Sequence, residues 1–149
     1  MNNIVNFVKL SPTAHSPVRG SEQAAGWDLY ADLGAYDHLT LAPGAYYKIS
    51  TGIAIELPEG TFGAVYPRSG IATKRGLVLA NGTGIIDSDY RGELIVALKN
   101  TSNEVQTVEN GERIAQIVVT PYISVTFNEV DSIGTTARGE GGFGSSGNK

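Results

Sequence analysis

The sequence contains no cysteine and only two histidines among its 149 residues. Without cysteine the chain can form no disulfide, no thiolate nucleophile and no cysteine-based zinc or iron–sulfur site. His15 and His38 stand far apart in loop-like surroundings, so a histidine metal cluster or a Ser-His-Asp arrangement is disfavoured. Any catalysis by this chain is therefore expected to use carboxylates.

Long hydrophobic runs and an excess of positive charge are also missing. No stretch approaches the roughly 20 apolar residues of a membrane span, and the N-terminus has no basic, apolar leader. The formal net charge is −4, so the positive field that attracts nucleic acid polymers is absent. We expect a soluble intracellular protein that binds no membrane and no nucleic acid polymer. The cytoplasm is the expected compartment, and a nuclear or viral setting is left open.

Glycine is abundant, and it divides the chain into short segments. Nineteen glycines and six prolines separate stretches rich in Val, Ile, Leu, Tyr and Thr, which is typical of many short strands. The predicted fold class is all-β, a single-domain jelly-roll-like β-barrel. The predicted strands are Val5–Leu10, Trp27–Ala31, Ala45–Thr51, Ile53–Leu57, Gly63–Tyr66, Leu77–Leu79, Glu93–Asn100, Glu104–Val108, Arg113–Thr120 and Ser124–Glu129.

Two local signals add detail to this outline. Ser69 is predicted to cap one short helical turn over residues 70–75, and Gly76 to close it in the left-handed conformation. The Asn110-Gly111 pair predicts a two-residue hairpin between the strands Glu104–Val108 and Arg113–Thr120.

From Ser132 onward the sequence changes to Gly, Ser, Thr and charged residues without apolar periodicity. Such a tail is expected to be mobile when alone. We therefore divide the chain into a β-barrel domain, residues 1–134, and a flexible C-terminal arm, residues 135–149. The arm contains an arginine, an aromatic ring and two hydroxyls that suit a nucleotide, with Arg138 on a phosphate and Phe143 against a base. An ordinary disordered tail explains the composition equally well.

The segment Pro67-Arg68-Ser69-Gly70 places a guanidinium before a helix start. Free N–H groups and partial positive charge at such a start favour an anion, so the segment suits a phosphate group. Taken alone, a plain capped turn explains the same residues.

A second segment, Asn81 to Gly92, leads apolar strand residues into a loop with two acids and an aromatic ring. Asp87 follows Ile85-Ile86, and a carboxylate against a partly apolar wall can act as a general base on water. Asp89 suits a solvated turn instead. Asn81 offers an amide donor and acceptor, the complement of a base edge such as that of uracil. A polar β-turn without chemistry is the alternative interpretation.

Taken together, five segments resemble, in order and spacing, the five motifs of the trimeric dUTPase family. The resemblance runs from Ala25 to Gly147, and the joint occurrence is far more specific than any one motif. The five segments are Ala25-Gly26-Trp27-Asp28-Leu29-Tyr30-Ala31, Pro67-Arg68-Ser69-Gly70, Asn81 to Gly92, Gly111-Glu112-Arg113-Ile114-Ala115-Gln116, and Arg138 to Gly147.

The resemblance implies a reaction and a nucleoside site. dUTP would be hydrolysed to dUMP and pyrophosphate, which limits uracil in DNA and supplies dUMP for dTMP synthesis. Asp87 would be the general base that activates the water attacking the α-phosphorus. The ring of Tyr90 would pack on deoxyribose and leave no space for a 2′-hydroxyl. Asn81, with the backbone at Gly84 and Ile86, would read uracil.

The resemblance also implies a phosphate site, a metal and an assembly. Mg²⁺ would be held mainly on the substrate's phosphates, and Asp28 would reach it through water. The family is a homotrimer whose active sites are assembled from all three chains, with the arm of one closing a site formed by the other two. The residues expected at the phosphates are Arg68, Ser69, Gly70 and Gln116, and those of the closing arm are Arg138, Phe143, Gly144, Ser145 and Ser146.

The residues present disfavour two competing functions. A dCTP deaminase, on the same fold, would need a glutamate in the strand after the third motif, where this chain has Ala97. A non-catalytic regulator would be expected to have lost Asp87 or the closing arm, and both are present. Departures from the family pattern occur at Trp27, Gly82-Thr83 and Ser146, and none removes a group that the chemistry needs. Trp27 is expected in the core.

Overall fold

The computed structural model describes residues 4–142, whose regular secondary structure consists of strands and one short helix. The all-β fold predicted from the glycine-punctuated pattern is therefore confirmed. The elements are β1 (Asn6–Lys9), β2 (Val18–Arg19), β3 (Trp27–Tyr30), β4 (His38–Leu41), β5 (Tyr46–Glu56), β6 (Thr61–Pro67), α1 (Ser69–Arg75), β7 (Leu77–Leu79), β8 (Gly84–Ile86), β9 (Glu93–Asn100), β10 (Gln106–Glu109) and β11 (Arg113–Pro121).

Three antiparallel sheets make up the jelly-roll-like body. One has the strand order β1-β5-β9-β7, a second β2-β3-β11-β6-β8, and a two-stranded sheet pairs β10 with β4. Over residues 4–142 these sheets stay separate hydrogen-bonded sets, so the jelly roll is open and is not a closed barrel. No helix of the described residues is long and apolar enough to cross a membrane.

The core lies between the two larger sheets. Along β9, Leu94, Val96 and Leu98 are buried, whereas Ile95 between them is exposed, the period of two expected of a strand with one covered face. Leu29 of β3 belongs to the same buried cluster, which therefore spans both sheets. Each such side chain stabilises the fold by about 1.5–3 kcal/mol relative to an exposed position.

A bulge at Gly52 joins two strands that the sequence predicts as separate. The predicted strands Ala45–Thr51 and Ile53–Leu57 are one strand in the structure, β5 (Tyr46–Glu56), whose register against β9 shifts between Ser50 and Ala54. Gly52 has φ 67°, which favours glycine. A Cβ there would also lie 2.2 Å from an oxygen of Asp32.

Asp32 is buried beside this bulge and holds the loop before β2. Its carboxylate accepts hydrogen bonds from the Ser11 hydroxyl, the Thr13 hydroxyl at 2.6 Å and the Gly34 N–H at 3.2 Å. Burial by itself would raise the pKa of Asp32. These hydrogen bonds, together with the nearby charge of His15, outweigh burial and hold the pKa below its usual value.

The helix is confirmed, but Ser69 as its cap is wrong. The N-cap is Arg68, with an extended backbone at φ −79° and ψ 138° and no side-chain capping bond, and Ser69 already belongs to the helix. A capping hydroxyl must come from the last non-helical residue, and that residue is an arginine here. Gly76 closes the helix at φ 66°, as predicted.

The hairpin predicted at Asn110-Gly111 is wrong, although the turn itself exists. The Glu112 N–H donates to the Glu109 carbonyl at 3.1 Å, and Gly111 has φ 76°. However, β10 pairs with β4, whereas β11 pairs with β3 and β6. The Asn110 side chain instead accepts the N–H of Leu33 at 2.9 Å, which fixes the turn to another loop.

The strand predicted over Ser124–Glu129 is also wrong, because residues 122–142 form no strand in the described part of the chain. Ile123 and Phe127 are 87% and 98% exposed, so no neighbouring strand covers them.

The prediction that Trp27 lies in the core is also wrong. Trp27 is 42% exposed, and the Arg19 guanidinium carbon lies 5.1 Å from the centroid of its ring. The short strands β2, β4 and β8 were not predicted.

Candidate active site

Asp28 lies at the centre of what we call the arginine cluster, formed by Asp28, Arg68 and Arg113. The Arg68 Nε donates to Asp28 Oδ1 at 2.9 Å, and Arg113 Nη1 donates to Asp28 Oδ2 at 3.2 Å. Asp28 is buried, whereas both arginines reach solvent. The cluster carries one net positive charge, and one carboxylate fixes the orientation of both guanidinium groups.

The start of α1 adds backbone donors beside this cluster. Arg68 precedes the helix directly, and the following residues Ser69 and Gly70 are exposed. The first N–H groups of a helix have no partner within it, and no side chain caps them here. A Cβ on Gly70 would meet nothing within 4 Å, so the approach to its N–H is open. Guanidinium groups and free N–H groups together suit a phosphate.

Gln116 stands next to Asp28 in the sheet, because β11 pairs it in register with Asp28 on one side and Tyr66 on the other. Its Nε2 donates to the Pro67 carbonyl at 3.1 Å, which ties it to the end of β6. A Cβ on Gly26 would lie 2.4 Å from Gln116 Oε1, so glycine there leaves space for the amide. The residues predicted at the phosphates, from the second and fourth motifs, thus lie beside Asp28 of the first motif.

The residues of the third motif form a separate group on β8 and the loop after it. Asp87 follows Ile86 at the end of β8, and its side chain is exposed. It borders a cavity of about 170 Å³ lined by Ile85, Ile86, Tyr90, Glu93 and Ile95. Three isoleucines and the Tyr90 ring form apolar walls, and the Asp87 and Glu93 carboxylates face the same cavity. This arrangement suits a nucleoside beside a general base.

Asn81 and Gly84 lie at the other end of β8. Asn81 is exposed in the turn after β7, where the Gly82 N–H donates to the Leu79 carbonyl at 3.1 Å. Gly84 is buried and pairs with Val65, so that a Cβ on it would approach the Val65 side chain at 3.1 Å. The amide expected to read uracil therefore stands free at one end of the strand whose other end carries Asp87.

In one chain Asp87 and Arg68 lie at opposite ends of β6. Ile86, just before Asp87, pairs with Gly63 near the start of β6, whereas Arg68 follows its last residue, Pro67. At about 3.3 Å per residue, the five residues from Gly63 to Arg68 separate these positions by about 16 Å. The single chain therefore does not bring Asp87 and Arg68 together on one phosphate.

Arg138 approaches neither group in the structure. Its Nε donates to the Gly141 carbonyl at 2.8 Å, within a turn that the Gly139 N–H closes on Thr136 at 3.1 Å. The remaining arm residues predicted for the site lie outside the described residues: Phe143, Gly144, Ser145 and Ser146.

The side chains fit a metal held through water better than a direct metal cage. Among residues 4–142 no group of three or more His, Asp or Glu side chains is placed to hold a metal ion. Both oxygens of Asp28 already accept arginine N–H groups. A carboxylate has about four lone-pair positions, so Asp28 can still accept a hydrogen bond from a metal-bound water.

The sequence prediction gives no individual role to two arginines near the site. Arg113 lies three residues before Gln116, a spacing that puts strand side chains on opposite faces, and the register shift between Arg113 and Ala115 is visible only in the structure. Arg75, at the end of α1, donates to Glu112 and the Thr107 carbonyl, and its Nε donates to Gln106 at 3.2 Å. Arg75 thereby fixes the helix that presents Ser69 and Gly70, and no local pattern in the sequence marks this long-range contact.

Comparison with known proteins gives these motifs a family. The family model for dUTPase matches residues 13–147. The deoxyuridine 5'-triphosphate nucleotidohydrolase of Escherichia phage T5 is 50% identical over 146 residues, covering 95% of this chain and 98% of that protein. The fold is similar to that of Staphylococcus bacteriophage 80alpha dUTPase with dUpNHpp, at a TM-score of 0.88 and 31% identity, covering 98% and 99% of the two chains. It also resembles a mutant dUTPase from phage phi11 of S. aureus with a structural Mg(II) ion, at a TM-score of 0.77 and 25% identity over 88% of this chain and 99% of that one. The chain therefore belongs to the dUTPase family.

Proposed function

We propose that the protein is a dUTP diphosphatase that hydrolyses dUTP to dUMP and pyrophosphate inside the cell, in the cytoplasm. Its product would supply dTMP synthesis, and its activity would limit uracil in DNA. The observation that carries this proposal is the exposed Asp87 carboxylate at a cavity that isoleucines and the Tyr90 ring line on other sides. The deoxynucleoside would occupy that cavity, with uracil toward Asn81 and the backbone of Gly84 and Ile86, and the sugar against Tyr90.

The triphosphate would be bound by the arginine cluster and its neighbours. Arg68 and the N–H groups of Ser69 and Gly70 supply positive charge and donors, and the Gln116 amide stands in the same row of the sheet. Asp28 would reach Mg²⁺ through water and keep the arginines oriented. When bound, Mg²⁺ would neutralise charge on the phosphate oxygens.

The chemical step follows from the position of Asp87. Its carboxylate takes a proton from a water molecule as the water oxygen attacks the α-phosphorus. The bond from that phosphorus to the bridging oxygen breaks, and the electron pair leaves with pyrophosphate. Cations and N–H groups held in place beforehand stabilise the charge that builds up on the phosphates.

A homotrimer with shared sites accounts for the separation of the two groups. Because Asp87 and Arg68 lie at opposite ends of β6, Asp87 of one protomer would act with the arginine cluster of another. The exposed apolar side chains Ile123, Val125 and Phe127 occupy alternate positions of a segment that has no regular secondary structure and no strand partner in the described chain. A neighbouring protomer would supply that partner.

The arm, residues 135–149, would close the site from a third protomer over the body, residues 1–134. Arg138 would bind phosphate, and Phe143 would cover the uracil. Gly144, Ser145 and Ser146 would complete the contacts. Ordering the arm on substrate would exclude bulk water from the reaction.

Two experiments test this proposal. Purified protein is incubated with each of dUTP, dCTP, dTTP and UTP, and pyrophosphate release and subunit mass are measured. We expect pyrophosphate from dUTP and a trimer; release from another nucleotide in preference to dUTP would refute the assignment.

Shared sites are tested by mixing two inactive chains, one ending at Ala137 and one full-length chain with Asp87→Asn. Co-refolded mixed trimers should regain activity, because some sites pair an intact Asp87 with an intact arm from a neighbour. Mixed trimers verified by mass spectrometry but without activity above the two parents would refute an arm acting in trans.

A further inference from the structure

The ring of Tyr90 is folded back over its own loop. Its hydroxyl donates to the backbone carbonyl of Glu93 at 3.0 Å, and its N–H donates to the Asp87 carbonyl at 3.1 Å. A Cβ built on Gly92 would lie 2.4 Å from the Tyr90 hydroxyl oxygen and 2.6 Å from the ring carbon that bears it. The ring therefore occupies the space that any other residue at position 92 would fill.

Gly92 is needed for this space and not for an unusual backbone. It is not one of the glycines with a left-handed φ, so alanine can adopt its conformation without backbone strain. A methyl group at position 92 would therefore act first on the Tyr90 ring, to which its three nearest atoms belong.

The residue whose carbonyl accepts the Tyr90 hydrogen bond, Glu93, is attached to the neighbouring strand by its side chain. The carboxylate of Glu93 accepts the N–H of Gly52 at 2.8 Å and the hydroxyl of Ser50, both on β5. These bonds attach the start of β9 to the bulge of the neighbouring strand. The position of the Tyr90 ring thus depends on β5, through Glu93, as well as on its own loop.

We propose that Gly92 and Glu93 are positioning residues that set the Tyr90 ring as the wall against the sugar and thereby determine the preference for deoxyribonucleotides. This inference rests on the proposed function. Because the phenol hydroxyl is already bonded to Glu93, Tyr90 presents a ring surface to the sugar and no free donor. A 2′-hydroxyl at that surface would be desolvated without a partner.

The test compares Gly92→Ala with Gly20→Ala, a matched control in which the added methyl group meets nothing within 4 Å. kcat/KM is measured for dUTP and for UTP. We expect Gly92→Ala to lower the dUTP/UTP preference about ten-fold, mainly through a lower KM for UTP, because displacing the ring opens the wall. The control should keep the preference of the parent.

A second pair of variants shows whether the effect of Gly92→Ala on the dUTP/UTP preference depends on the Tyr90 ring. In a chain that already carries Tyr90→Ala, adding Gly92→Ala should change the dUTP/UTP preference no further, because no ring remains to be displaced. If the second substitution still shifts the preference ten-fold, the proposed route through Tyr90 is wrong.

The outcomes separate this inference from the proposed function. A parent that does not hydrolyse dUTP refutes the proposed function itself. A parent that prefers dUTP, with Gly92→Ala folded and equally selective, refutes the positioning role alone. If Gly92→Ala fails to fold by circular dichroism, Tyr90→Phe takes its place. It removes only the bond to Glu93, and we expect a smaller loss of preference of about three-fold; an unchanged preference overturns the inference.

Discussion

Replacing Asp28 by asparagine should loosen both arginines of the arginine cluster. The Asp28 side chain is 10% exposed, while those of Arg68 and Arg113 are 29% and 45% exposed. Removing one partner of a fully buried pair costs about 3–5 kcal/mol, whereas a surface pair contributes about 0–1 kcal/mol. Since both arginines reach water, we expect Asp28→Asn to lower the free energy of unfolding by about 1–2 kcal/mol.

Activity should fall by more than this loss of stability explains. Two guanidinium groups without a shared carboxylate no longer point in fixed directions, and a small misplacement of binding groups can cost about 100-fold in rate. Urea unfolding and kcat/KM for dUTP measure the two effects separately. The control is Glu56→Gln, which breaks the exposed pair between Glu56 and Arg91 at 3.5 Å. If Asp28→Asn is as stable and as active as this control, Asp28 does not organise the cluster.

Three further predictions concern single side chains elsewhere. Asp87→Asn should keep the folded assembly and the binding of a nonhydrolysable dUTP analogue but lose turnover by about 10²–10⁴-fold; turnover within a few-fold of the parent would exclude Asp87 as the base. The stability from Asp32, whose pKa is lowered, should be present above about pH 4 and be lost as the pH falls through that lowered pKa. The melting temperatures of the parent and Asp32→Asn should therefore converge between pH 7 and pH 3, and a constant difference would contradict this. Gly52→Ala should destabilise the fold well beyond the roughly 1 kcal/mol expected for Gly60→Ala, because both have a left-handed φ but only position 52 meets Asp32; equal losses in urea unfolding would refute the steric argument.

Strands that depend on local pattern were predictable from the sequence. Leu77–Leu79 and Glu93–Asn100 were predicted with the bounds that the structure shows, because alternation and flanking glycines are local signals. The prediction of two separate strands, divided at Gly52, was wrong, because the structure has one strand there, β5. A glycine inside a strand pattern looks like an end, and only the contacts with Asp32 and Glu93 show that it is a bulge.

Strand pairing was less predictable than the strands themselves. The turn at Asn110-Gly111 is present, but each flanking strand finds its partner elsewhere along the chain. Pairing is decided by which apolar faces can be buried together, and adjacent sequence does not contain that information. The same reason explains Ser124–Glu129, where strand composition exists without a partner strand in the described chain.

For the candidate site, the sequence predicts residues but not their separation within the chain. Motif order places Arg68 and Asp87 only 19 positions apart, which suggests one loop cluster, whereas the register of β6 with β8 sends them to opposite ends. The ion pairs of Asp28 with Arg68 and Arg113 were equally unpredictable. The three residues are far apart in the sequence, and their positions along it give no distance between their side chains. Both facts depend on the tertiary structure.

The charge balance of the arginine cluster leaves much of the charge of a bound triphosphate uncompensated. Asp28 cancels one of its two guanidinium charges, so the cluster offers a net charge of +1 to a triphosphate with several negative charges. The cluster would contribute donors with a fixed orientation, because such donors stabilise developing charge without reorganising during the reaction. Under the proposed function, the remaining neutralisation would come from Mg²⁺ on the phosphates and from Arg138. Because the Arg138 Nε is bonded to the Gly141 carbonyl within its own segment, Arg138 would contribute only if the arm moved onto bound substrate.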